Sequence, residues 1–143
     1  MPRLHLKFWW IVALGCALWL LWMTLRPNPQ VAENLEVLTT PAAERGISAF
    51  WLIDIAGNIV VFAPLGASVA MALADGRTLA SRLLWGTLVG LALSCTIEFL
   101  QGLTSSRVSS LSDVALNTLG AAIGAALALF IGRNFNRSAL RIS

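Results

Sequence analysis

Four long apolar runs divide the chain, and its polar residues gather at their ends and between them. They are FWWIVALGCALWLLWMTL (Phe8 to Leu25), WLIDIAGNIVVFAPLGASVAMALA (Trp51 to Ala74), LLWGTLVGLALSCTIEFLQGL (Leu83 to Leu103) and DVALNTLGAAIGAALALFIG (Asp113 to Gly132). A helix crossing a bilayer needs about 20 mostly apolar residues, and all four runs qualify. The pattern predicts an all-α fold, an integral membrane four-helix bundle, as a single domain over 1–143. The segment RPNP, from Arg26, ends the first helix because Pro cannot continue it. It opens a long outer loop, 26–50. Arg3 and Lys7 precede the first run as in a signal peptide, but no small-x-small cleavage site follows and the run is longer than a signal core. It reads as a retained span.

Composition agrees. Of the 143 residues, 57% are hydrophobic and 12% charged, about half the charged share of an ordinary soluble domain. Mean hydropathy is +0.77. The short flanks orient the spans through their Lys/Arg content. Seven such residues fall before span one, between spans two and three, and after span four, against three on the other side. The expected topology is N-in/C-in. Trp9, Trp10, Trp22, Trp51 and Trp85 lie near span ends, as interfacial aromatics do. The net charge of +3 comes without a basic run interleaved with aromatics, so no nucleic-acid partner is expected. Cys16 and Cys95 sit inside apolar runs and read as small buried hydrophobes. His5 reads as a solvated side chain of the inner tail. There is no Gly-rich phosphate loop, no Ser/His/Asp set and no His/Cys cluster at metal-ligand spacing. No metal and no cofactor is expected.

In this topology the polar residues converge. Asp54 and Asn58 lie in the outer half of span two, and Glu98 and Gln101 near the outer end of span three. Asp113 and Asn117 lie in the first turns of span four, and Arg107 on the outer loop between the last two spans. Asp54–Asn58 and Asp113–Asn117 are i,i+4 pairs, and Glu98–Gln101 is i,i+3, so each pair shares one helix face. Such faces turn inward, because a charge facing lipid at the helix centre costs about 2.5–3.5 kcal/mol. If ionised, Asp54, Glu98 and Asp113 outnumber Arg107. A protonated acid, a bound cation, or Arg26 or Arg45 folded over the site would each restore the balance. Gly86-x3-Gly90-x3-Ser94 and Gly120-x3-Gly124 are small-xxx-small patterns that bring helices close, within the chain or between copies of it. Pro64 with Gly66 should kink span two.

DIAGNIVVFAPLG, followed by IEFLQ, an Arg and DVALNTLGAAIG, resembles the VanZ-like family, whose membrane domain is marked by N-x-x-x-F-x-P-x-G, then E-x-x-Q, an Arg and D-x-x-x-N-x-x-G. Asn58, Phe62, Pro64 and Gly66 match the first element, Glu98 and Gln101 the second, and Arg107, Asp113, Asn117 and Gly120 the third. The match covers spans two to four. Many family members carry an extra acid shortly before the Asp of the third element, where this chain has Ser109, Ser110 and Ser112, which argues against a metal role. The family's namesake is associated with resistance to the glycopeptide teicoplanin. The resemblance implies a small multi-pass protein of a bacterial plasma membrane that lowers susceptibility to lipid-bearing glycopeptides.

Four functions compete at this stage. In a binding protein, the outer polar pocket (Asp54, Asn58, Glu98, Gln101, Arg107, Asp113, Asn117) would hold a lipid headgroup, an envelope precursor or the drug. Arg107 would pair with phosphate or carboxylate. In an enzyme acting on a lipid-linked envelope substrate, Glu98 or Asp113 would be the acid or base, and Arg107 would stabilise developing negative charge. In a proton-coupled transporter the same acids would relay protons. In a purely structural reading they lock the bundle by hydrogen bonds.

Overall fold

The computed structural model describes residues 2–25, 49–103 and 110–139, with side chains over 5–25, 55–103 and 110–133. Among these residues there are four helices and no strand: α1 (Pro2–Leu25), α2 (Ala49–Ala72), α3 (Leu79–Leu103) and α4 (Leu111–Ala139). All four are long and apolar enough to cross a membrane. Their outward faces carry large apolar side chains, among them Ile11, Leu14, Trp22, Phe99 and Phe130, as a surface in contact with acyl chains would. The outer loop expected over 26–50 lies outside the described residues except for its last two positions, which begin α2.

A short turn joins α2 to α3. Gly76 takes a left-handed φ of 72° there, a conformation open to glycine and strained for most other residues. Thr78 then caps α3, its Oγ1 accepting the Ser81 N–H at 3.2 Å, which satisfies one of the helix's free first-turn donors. Pro64 does not interrupt α2, which runs through it as one helix. Lacking an N–H, Pro64 leaves the carbonyl of Val60 without its helical donor, while its own carbonyl accepts the Ser68 hydroxyl at 2.6 Å.

The helices are held at close range by residues without bulk. A side chain at Gly124 would collide with the Ala63 carbonyl, one at Gly120 with Ile59, and one at Gly66 with the backbone of Ala121. Thus α2 and α4 meet backbone to backbone, the most extensive pairing in the bundle. α3 lies across the same seam, with Gly86 facing Ala125 and Gly90 facing Ala121. The small-xxx-small faces are therefore taken up inside the chain. Phe62, Leu65, Val69, Ile97 and Ala121 fill the core, joined by Ala13 and Leu20 from α1. α1 is peripheral: it rests mainly on α2, touches α3 slightly and does not pack on α4.

Candidate functional site

Glu98, Gln101 and Asn117 are all buried, at 7%, 6% and 5% exposure, and all lie at one end of the bundle. That end is formed by the last turn of α1, the last turns of α3 and the first turns of α4. Each of the three side chains reaches a group on a different helix or segment. The Glu98 carboxylate accepts the backbone N–H of Ser110 at 2.8 Å. Ser110 precedes α4, and its carbonyl accepts the N–H groups of Asp113 and Val114 at 3.1 and 3.4 Å. It is the N-cap of α4, so Glu98 sits at the positive end of that helix, where negative charge is favoured. The hydroxyls of Ser110 and Ser112 share a further hydrogen bond. Gln101 donates through Nε2 to the carbonyl of Thr24 at 3.1 Å, one of the last carbonyls of α1, which have no helical donor. Asn117 donates through Nδ2 to the Ser94 hydroxyl at 2.9 Å.

This continues the α3–α4 ladder. Gly86 faces Ala125, Gly90 faces Ala121, and one turn further Ser94 faces Asn117. The small pair becomes a polar pair at the level where the acids begin. The other amide atom of Asn117, Oδ1, is buried and has no hydrogen-bond partner.

The remaining expected site residues fall as follows. Asn58 lies half-buried in the first half of α2, next to Ile59, the residue against which Gly120 packs, and so at the depth of Asn117. Asp113 lies in the first turn of α4, half-buried and engaged in a polar interaction. Asp54 is on α2 one turn before Asn58, and its side chain lies outside the described residues, as does the whole of Arg107. The Arg26 and Arg45 that were candidates for closing the site lie outside them too. Among the described residues no group of three His, Cys, Asp or Glu is placed to hold a metal.

The model of the VanZ/LLP1 family matches residues 10–132, from the first turns of α1 almost to the end of α4. The chain belongs to the VanZ/LLP1 family. No curated protein and no solved structure gives a match to it. With four membrane-length helices, this VanZ/LLP1 chain is a multi-pass membrane protein.

Its recognisable motif positions divide into two kinds in the VanZ/LLP1 fold. Phe62, Gly66 and Gly120 make the α2–α4 seam and the core beside it. Glu98, Gln101 and Asn117 make the cross-helix bonds at its polar end. Three participants were not read from the sequence as site residues: Ser94, which entered only as the end of a small-xxx-small pattern, Ser110, which entered only as a departure from the family pattern, and Thr24. Ser94 had a signal, because it lies four residues before Glu98 and so on the same face of α3. Thr24 had none, since it contributes a backbone carbonyl.

Proposed function

We propose that this VanZ/LLP1 protein sits in a bacterial-type plasma membrane with both termini inside. Its polar end then faces the outer leaflet and takes the headgroup of an envelope ligand: a lipid, an envelope precursor or a lipid-bearing glycopeptide. In this reading it lowers susceptibility to teicoplanin. One observation carries the reading, the unpartnered Oδ1 of buried Asn117. An unmet buried acceptor costs about 1–3 kcal/mol, and a hydroxyl or N–H of a ligand would offset that. Glu98 and Gln101 on α3 and Asp113 on α4 lie at the same end, as does Asn58 on α2. Arg107, between α3 and α4 in the sequence, suits a phosphate or carboxylate through its planar fork.

A second reading has its own observation. Glu98, Gln101 and Asn117 each bond to another helix or its cap, as they would if their role were to lock the bundle. One experiment separates the two. Wild type and the variants Glu98→Gln, Arg107→Gln and Asp113→Asn are expressed in a glycopeptide-susceptible host at matched folded membrane levels. Susceptibility to teicoplanin and to vancomycin is then measured. The binding reading expects wild type to protect against teicoplanin and the folded variants to lose that protection. Variants that still protect as well as wild type once folded levels are matched support the lock, and no protection by wild type removes the resistance role.

A further inference from the structure

A deep cleft runs from Val60 along α2 and α4 to the opposite end of the bundle. Its volume is about 950 Å³, within the range of small-molecule sites, about 300–1,000 Å³. It exists because α1 and α4 both flank α2 without packing on each other. Along α4 its basic end at Arg133 is 16 residues from Asn117, about 24 Å at a helical rise of 1.5 Å per residue.

The cleft has two chemically distinct parts. Its walls along α2 and α4 are apolar, formed by Val60, Ala63, Ala67, Leu127, Ala128 and Ile131. Its end carries His5, Trp9, Arg82 and Arg133, and among the described residues no Asp or Glu lines it. Arg82 is held in place there. Its Nε donates to the carbonyl of Ala70 at 2.7 Å, and one terminal nitrogen lies 3.7 Å from the Met71 sulfur. Neither contact neutralises its charge. The indole N–H of Trp9 is buried and has no hydrogen-bond partner, although a buried Trp N–H usually has one. His5 packs edge-on to the Trp9 ring at 6.1 Å.

In a bilayer, a groove with apolar walls is filled by an acyl chain from the surrounding lipid. What its end offers then decides which lipid stays. Two guanidiniums, a free N–H donor and no carboxylate form a receptor for phosphate oxygens carrying net negative charge. We propose that this cleft binds an anionic phospholipid in the leaflet on the N-terminal side of the bundle. One acyl chain lies along Ala63, Ala67 and Ala128, and the phosphate sits among Arg82, Arg133 and the Trp9 N–H. The site is separate from the polar end and does not depend on the function proposed for it.

The test uses the full chain in nanodiscs containing equal amounts of phosphatidylglycerol and phosphatidylcholine with the same acyl chains. Retained lipid is counted by native mass spectrometry after release into mild detergent. The wild type is expected to keep one phosphatidylglycerol with about 25-fold preference, since Arg82 and Arg133 near the headgroup contribute about fivefold each. Arg133→Gln, which removes no contact that holds the helices, should lower that preference about fivefold. Arg82→Gln should lower it too. Ala67→Phe, which fills the groove, should abolish retention of both lipids in a protein of unchanged melting temperature. Equal retention of the two lipids by wild type overturns the proposal, and so does a preference that Arg133→Gln leaves intact.

Discussion

The two ends of the bundle handle polar groups in opposite ways. At the end holding Glu98, Gln101 and Asn117, polar side chains reach across helices, and the hydrogen bonds tie α1, α3 and the start of α4 together. At the end holding Arg82 and Arg133, α1 and α4 stand apart, and the polar groups face a cleft. Among the described residues each end keeps one buried group without a partner, an acceptor on Asn117 and a donor on Trp9. The difference shows that burying polar groups in a membrane bundle does not by itself indicate a ligand. The question is how many of their hydrogen-bonding atoms the protein itself satisfies.

The comparison can be broken or sharpened by substitution. The largest effect is expected from Gly124→Leu, because the new side chain meets the Ala63 backbone, which cannot move aside. Overpacking of this kind costs about 1–3 kcal/mol, occasionally more. It should lower the melting temperature in mild detergent and impair both ends together; loss at one end alone would show that the seam does not link them. Next comes Ser94→Ala, which leaves the buried Asn117 amide with neither end satisfied and should cost about 1–2 kcal/mol. Combined with Asn117→Ala in a double-mutant cycle, it should give a coupling of about 0.6–1.7 kcal/mol, the range for hydrogen bonds between membrane helices. A coupling near zero would remove that bond from the tie. Glu98→Gln keeps an acceptor for the Ser110 N–H and removes only the charge at the start of α4, for about 1 kcal/mol at most. Gln101→Leu should be mildest, about 0.6 kcal/mol, and should leave lipid preference at the basic end unchanged. A shift in that preference would mean that the two ends communicate through α1.

The helices were legible because each is a long apolar run with Pro, Gly or charge at its borders. The polar end was legible as a set of spacings, since i,i+3 and i,i+4 pairs must share a face. Which group each side chain meets was not legible. Glu98 bonds to a backbone N–H and Gln101 to a backbone carbonyl, and such partners leave no mark in a side-chain pattern. The glycine patterns announced close approach but not the choice of neighbour, which depends on how three helices nest. The cleft was invisible for a different reason. It follows from a pairing that is missing, α1 with α4, and no local pattern encodes a missing contact. His5, read as a solvated tail residue, is exposed but lines that cleft against Trp9.

The backbone contact between α2 and α4 also sets an order of assembly. During synthesis α2 leaves the ribosome well before α4, and the whole of α3 separates them. α1 and α3 can dock on α2 as they arrive, but neither covers the strip against which Gly120 and Gly124 pack. That strip waits in lipid until the final helix is made. Chains stopped after Leu103 would carry three apolar helices and an open seam, the kind of incomplete intermediate that quality-control proteases and insertion chaperones recognise.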